Sequence, residues 1–200
     1  MIGVVDYRAG NIASVTNALS RIGAPFVVSN DPRALEQCGG IILPGVGAAP
    51  GAMESLREYD LIEFLTTSSR PVLGICLGMQ LFYEQSEEGA TRCLGIISGT
   101  VERFASGVMK IPHMGWNEVE FTSDSPLQSG IENREFFYFA HSFYCPVTEE
   151  TDGTTSCGIP FAAMVQKENY FGIQFHPEKS GKAGLQLLKN FESICKSYRR

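Results

Sequence analysis

Positive charge is the first thing this sequence is short of. Sixteen Lys and Arg face 22 Asp and Glu, a formal net charge of −6. That sign argues against a nucleic-acid or anionic-membrane surface as the main business of the chain. Long apolar runs are missing too. The longest stretch without a charged residue, Gln37 to Met53, carries five glycines and two prolines and falls short of a membrane span. The opening Met1-Ile2-Gly3-Val4-Val5-Asp6 has neither a basic n-region nor an adequate apolar h-region, so no secretory signal is expected. The six cysteines (Cys38, Cys76, Cys93, Cys145, Cys157 and Cys195) form no C-x-x-C pair. A disulfide framework or a zinc site is therefore not expected, and a cytoplasmic, reduced setting fits best. Histidine is scarce, with three in 200 residues, which leaves few candidates for a general base.

What is present is a globular composition, 44% hydrophobic and 19% charged. It allows one sizeable domain over residues 1–200 and leaves little room for a second. The first half reads as strands alternating with helices. Ile2–Val5 is a short apolar run, followed by a turn through Asp6-Tyr7-Arg8-Ala9-Gly10-Asn11. Ile12, Val15, Leu19 and Ile22 then fall on one helical face that Gly23 can close. Phe26–Val28, Ile41–Leu43 and Val72–Ile75 are near-continuously apolar, as strands of a parallel sheet covered on both faces are. The second half changes character. Thr100–Phe104, Glu118–Phe121, Glu135–Phe139, Ala162–Gln166 and Tyr170–Gln174 read as short strands, with Asn133, Gly153 and Gly158 marking turns, and much of this half can pair antiparallel. A last helical stripe runs through Leu187, Leu188, Phe191, Ile194 and Tyr198. Lys196, Arg199 and Arg200 sit at its end, where the dipole favours cations. The expected fold is α/β, a mostly parallel central sheet flanked by helices, with a smaller antiparallel β portion in the second half.

The sharpest local feature is Val72-Leu73-Gly74-Ile75-Cys76-Leu77-Gly78-Met79-Gln80. A buried strand ends in G-x-C-x-G and a helix-compatible segment follows, the cysteine form of a nucleophile elbow. A thiol there feels the helix N-terminus, and the Leu77 amide is aimed where an oxyanion would form. A buried structural cysteine is the plainer alternative. A thiol nucleophile needs a base and a group to orient that base. His176 ends the apolar run Tyr170–Phe175, and Glu178 follows across the stiff Pro177, so the carboxylate can be held against the imidazole. His113 and His141 lack a carboxylate at that spacing. The turn Pro44-Gly45-Val46-Gly47 follows another buried strand. Its two glycines let a peptide plane turn over at little steric cost. As a dinucleotide fingerprint it fails, because Pro50 stands where a third glycine belongs. It reads either as an oxyanion loop facing Cys76 or as a plain strand-to-loop turn.

Together these pieces resemble the class I (triad) glutamine amidotransferases, and within them the glutaminase subunits of imidazole glycerol phosphate synthase. The likeness is carried further by Asp6-Tyr7, Gly10-Asn11, Pro112-His113-Met114-Gly115-Trp116-Asn117 and Tyr138-Phe139-Ala140-His141-Ser142, and it runs from residue 1 to the C-terminal helix. Two departures are visible: Arg8 stands where the family usually has Gly, and Ala48-Ala49 replaces commoner larger residues. The resemblance implies that Cys76 attacks the glutamine carboxamide, His176 shuttles the proton and Glu178 orients His176. It assigns Gly47, Gln80, Ser142 and Phe143 to holding glutamine, and the amides of Val46 or Gly47 with Leu77 to the oxyanion hole. No metal and no cofactor are implied.

A chain this size that releases ammonia has no residues left for an acceptor site, so a synthase partner is required. The resemblance makes that partner a (β/α)₈-barrel cyclase subunit, bound as a heterodimer. It would take ammonia through a tunnel to form imidazole glycerol phosphate and an aminoimidazole carboxamide ribotide. Asn11, Met114, Trp116 and Asn117 are candidate contacts with it. Met114 and Trp116 read as lying beside a Pro-Gly turn, and Trp116, the only Trp, reads either as an interface residue or as an ordinary buried one. Three rival readings stay open: another triad amidotransferase, a stand-alone cysteine hydrolase of the same fold, and a non-catalytic regulatory module.

Overall fold

The computed structural model describes residues 1–198 except 9, 106, 108 and 109. Its strands are β1 (Ile2–Val5), β2 (Phe26–Ser29), β3 (Gly40–Gly45), β4 (Val72–Cys76), β5 (Tyr83–Ser86), β6 (Thr91–Arg92), β7 (Ile97–Arg103), β8 (His113–Phe121), β9 (Glu135–His141), β10 (Phe143–Tyr144), β11 (Thr151–Cys157), β12 (Ile159–Lys167) and β13 (Tyr170–Ile173). The helices are α1 (Ile12–Arg21), α2 (Pro32–Leu35), α3 (Ala49–Glu58), α4 (Leu61–Thr66), α5 (Leu77–Gln80) and α6 (Gly181–Ser197). A nine-stranded sheet runs in the order β2-β1-β3-β4-β13-β12-β11-β8-β9, and a four-stranded sheet in the order β10-β7-β5-β6.

The apolar runs form the parallel half of the large sheet because both of its faces are covered. On one face, Ile2, Val4, Ile42, Leu73 and Ile75 pack under Val15 and Leu19 of α1 and Leu187, Leu188 and Phe191 of α6. On the other, Val5, Ile41, Leu43 and Val72 meet Met53 and Leu56 of α3 and Leu61 and Leu65 of α4. Each such fully buried side chain contributes about 1.5–3 kcal/mol of apolar transfer. The antiparallel expectation for the second half also holds, since β8, β9, β11 and β12 pair that way. They extend the main sheet instead of forming a separate layer. The small second sheet is itself mixed, β5 pairing with β7 in parallel.

Three expectations need correction. Gly153 marks no turn: it lies inside β11, at a register shift opposite Met164 and Phe121, where a Cβ would crowd Phe121 and Val119. The segment His113–Asn117 is not beside a Pro-Gly turn but is the first half of β8, paired residue for residue with β9. In the second half the strands run past the expected ends at several places, because ladder pairing, and not local hydrophobicity, extends β8 back to His113 and β12 from Ile159 to Lys167. At the end of α6, Lys196 pairs with Glu192 at 2.8 Å; Arg199 and Arg200 lie outside the described residues. Arg8 adopts a left-handed backbone, φ +63°, a conformation in which glycine carries no Cβ penalty.

Candidate active site

The parallel strands β1, β3, β4 and β13 end along one edge of the sheet, and Gly45, Cys76 and Ile173 arrive there nearly in register. Such an edge is where open α/β sheets gather ligand-binding groups. β9 runs the same way, reached through successive antiparallel pairings. Its end therefore delivers Ala140 and His141 to the same place.

Cys76 occupies the elbow itself, with φ +55° and ψ −110°, a backbone state that costs a non-glycine residue roughly 1–3 kcal/mol. The glycines at the elbow and on the neighbouring strand allow a close approach of backbones. A Cβ on Gly74 would lie 2.6 Å from the Gly78 carbonyl oxygen, and one on Gly45 would lie 2.6 Å from the Gly78 nitrogen. They let the turn press against β3 and β4, and the strain falls on Cys76. The helix after the elbow is a single turn, so the expected macrodipole is short. What remains is the first-turn amide of Leu77, which has no intrahelical partner.

His176 sits beyond β13, and its main chain is tied to β9. Its N–H donates to Tyr138 O at 2.8 Å, and its carbonyl accepts from the Ser180 hydroxyl at 2.6 Å. The Phe175 ring between Gln174 and His176 stacks on Phe137 at 4.1 Å. Alternation along an extended chain then turns Gln174 and His176 to the other side, toward Cys76. Nδ1 of His176 lies 2.9 Å from Glu178 Oε1, and both side chains are buried, Glu178 to 1% exposure. Glu178 is thus an interior group. Burial alone would lower the His176 pKa. Hydrogen bonding and charge from Cys76 and Glu178 outweigh it and push the value up to about 10, favouring the imidazolium.

A cavity of about 200 Å³ opens on the sulfur. Of the residues expected there, Cys76, Val46, Gly47, Leu77, Gln80, Ser142 and Phe143 all line it, together with Met114. Gly47 has φ +98° and open space around a would-be Cβ, whereas Gly45 is closed in as the last residue of β3. Only Gly47 of that pair retains the freedom the turn was expected to have.

Several residues at the site escaped the sequence reading. Gln174 is fully buried and its Nε2 donates to Cys76 Sγ at 3.6 Å. His113 and His141 have no carboxylate two residues on, yet they form a buried pair, Nδ1 of His113 3.0 Å from Nε2 of His141. His141 donates from Nδ1 to Phe143 O at 2.7 Å, and burial lowers its pKa to about 3, so it is neutral. Tyr7 donates to Pro44 O at 2.6 Å beneath the glycine turn, and burial raises its pKa. Glu88 brings the one acidic side chain among the cavity's described lining residues. A polar residue inside an otherwise apolar run was the available signal for Gln174. For the His pair the signal was absent, because it depends on the β8–β9 register.

Met114, in the cavity wall, is 63% exposed, and Trp116, two residues further along β8, is 55% exposed. The buried reading of Trp116 is therefore wrong; its ring leans edge-on against Tyr138. Asn117 donates to Ser156 O at 2.9 Å, and Asn11 holds the N-cap position of α1 without a side-chain cap bond. Among the described residues no cluster of metal-ligating side chains occurs, and no helix is long and apolar enough to cross a membrane.

The model of the class-I glutamine amidotransferase family matches residues 3–194. The imidazole glycerol phosphate synthase subunit HisH of Archaeoglobus fulgidus is 46% identical, over 98% of this chain and 100% of its own length. The protein of the same name from Bacillus cereus is 45% identical, over 100% of this chain and 97% of its own. A crystal structure of a glutamine amidotransferase superposes with a TM-score of 0.76, covering 98% of both chains at 19% identity, a likeness of fold. The chain therefore belongs to the class-I glutamine amidotransferases, in the branch of the HisH subunits of imidazole glycerol phosphate synthase.

Proposed function

We propose that this chain is the glutaminase subunit of an imidazole glycerol phosphate synthase, one domain over residues 1–200, working in the cytoplasm of its cell. The observation that carries the reading is His176 held between the Cys76 thiol and the buried Glu178 carboxylate at the edge of the sheet. The Cys76 thiolate attacks the glutamine side-chain carboxamide, and the Leu77 amide with that of Val46 or Gly47 receives the developing oxyanion. The His176 imidazolium gives its proton to the departing nitrogen, so ammonia leaves and a γ-glutamyl thioester remains. Water, deprotonated by His176, then releases glutamate and returns the thiolate. Gly47, Gln80, Ser142 and Phe143 hold the substrate, and the Glu88 carboxylate suits its α-ammonium group.

The partner is a (β/α)₈-barrel cyclase subunit seated over the mouth. Exposed Met114 and Val46 in the cavity wall, and exposed Trp116 two residues along β8 from Met114, support that placement, with Asn11 and Asn117 as further contacts. The chemistry uses neither metal nor cofactor. The test is glutamine hydrolysis by the chain alone and mixed with the cyclase and its nucleotide ligand. Hydrolysis that rises on mixing and vanishes in Cys76→Ala is expected. Hydrolysis that survives Cys76→Ala would overturn the assignment.

A further inference from the structure

Cys76 Sγ has a polar neighbour besides His176 whose orientation is dictated by the fold. The sequence of constraints begins at the Phe143 carbonyl, which can only accept. Gln80 points Nε2 at it, 2.9 Å away, and this settles which end of the Gln80 amide is which. The same Nε2 lies 2.9 Å from Gln174 Oε1, so the Gln174 oxygen is spoken for and its nitrogen must face the other way. It faces Cys76 Sγ, at 3.6 Å. Both hydrogens of Gln80 Nε2 are used by these two acceptors, and the Phe143 carbonyl is braced a second time by His141 Nδ1 at 2.7 Å. Gln174 itself is inaccessible to solvent, in a strand end otherwise occupied by Phe171, Ile173 and Phe175. An amide is costly there unless its bonds are made, and one of the bonds it makes is to sulfur.

We infer that Gln174 is a catalytic residue of the proposed glutaminase: its side-chain amide donates a hydrogen bond to the Cys76 thiolate, holds Sγ toward the cavity, and stabilises the thiolate relative to the thiol. A neutral thiol or thioester sulfur is a weak acceptor, whereas a thiolate is a strong one. The bond therefore strengthens when the thiolate is present and weakens on acylation, and it favours the thiolate again as leaving group when water attacks the thioester. Gln80 acts through Gln174 as a positioning residue, in addition to its place in the cavity wall.

The inference rests on Cys76 being the nucleophile, and the experiment separates the two. A glutamine-analogue electrophile applied to the wild-type chain must label Cys76, identified by peptide mapping. Labelling elsewhere overturns the nucleophile itself. The Gln174 bond is then read from the rate of Cys76 alkylation by iodoacetamide as a function of pH, in the wild type and in Gln174→Met, a side chain of similar length without a donor. Hydrogen bonds to charged groups are worth enough to move such a titration by about 1–2 pH units. The midpoint is expected to rise by that amount, with the alkaline plateau unchanged. An unchanged midpoint, or a rate lowered equally at every pH, overturns the inference, the second because it reports altered access to the sulfur. Should Gln174→Met not fold, Gln80→Met serves in its place. It releases the Gln174 amide from its orientation, and a midpoint that stays at the wild-type value there overturns the inference equally.

Discussion

Glu178→Gln separates what the buried carboxylate does for the reaction from what it does for the fold. The substitution keeps an acceptor oxygen 2.9 Å from His176 Nδ1 and exchanges Oε2, which is buried without a hydrogen-bond partner, for an amide nitrogen equally without one. If the amide oxygen stays on Nδ1–H, the tautomer survives and only the charge is lost. If the amide turns to satisfy its nitrogen, His176 is forced into the wrong tautomer, the situation that in a serine protease triad lowers kcat by about 10⁴. A fall in kcat of roughly 10²- to 10⁴-fold brackets the two cases.

The same change alters how the protein responds to pH. In the wild type, burial lowers the His176 pKa while Cys76 and Glu178 raise it more, for a net value of about 10. A raised folded pKa contributes stability that is full below the unfolded value of about 6.5 and is lost as pH rises through the folded one. Wild-type stability from this group should therefore decline between about pH 6.5 and 10. Glu178→Gln brings the folded pKa down, flattens that decline and moves the alkaline limb of the kcat profile to lower pH. The assays are urea unfolding at pH 6.5 and pH 9 and glutamine turnover across the same span. Wild-type turnover with an unmoved alkaline limb would refute the role given to Glu178.

Other perturbations sort the remaining parts of the site. Cys76→Ala should abolish glutamine hydrolysis while leaving ammonia-driven synthesis by the bound cyclase intact, as measured with ammonium salt in place of glutamine. Gly78→Ala should unfold or severely destabilise the chain, by more than about 3 kcal/mol in urea titration, because its Cβ would overlap the Leu43 carbonyl. Gly47→Val meets no such obstacle but is strained at φ +98°. It should spare folding and cyclase binding while cutting the ligand-stimulated kcat by about 10²-fold, the worth of one oxyanion donor. Trp116→Ala should leave the melting temperature within a few degrees and weaken cyclase binding by about 1–3 kcal/mol in titration calorimetry.

The parts of the molecule that were legible in advance are those written in contiguous residues. The buried parallel strands announce themselves because Ile41–Leu43 and Val72–Ile75 need apolar side chains on both faces. Cys76 was identifiable because an elbow imposes its glycines within two residues on either side, and Glu178 because a two-residue spacing across Pro177 can close on an imidazole. The illegible parts depend on register. Nothing local says that His113 will stand opposite His141; that pairing comes from the whole ladder of β8 on β9. The sequence leaves Trp116 open between an exposed and a buried place for a related reason. Its average burial elsewhere says nothing about which face of β8 it occupies, and here that face is exposed. At position 45 glycine supplies not flexibility, as its sequence setting suggests, but a missing side chain.

The short α5 bears on how such a site handles charge. A thiolate at a full-length helix N-terminus can draw on an aligned macrodipole, but α5 spans Leu77–Gln80 and the chain then leaves into β5. In the proposed mechanism the charge on sulfur is met locally instead. His176 meets it from β13's extension, Gln174 from the same extension two residues earlier, and both owe their direction to Phe175, locked between Phe137 and Phe139. Phe175→Leu would keep an apolar residue on the core side while removing the stack at 4.1 Å. It should cost about 1–3 kcal/mol of stability. Because both polar side chains pivot on this one ring, it should also lower glutamine turnover by more than the stability loss accounts for at saturating folded fraction. The measurement is kcat at a temperature where circular dichroism gives the variant as fully folded; turnover equal to wild type there would mean that β9, through the Tyr138 carbonyl, is sufficient to aim His176 without the aromatic anchor.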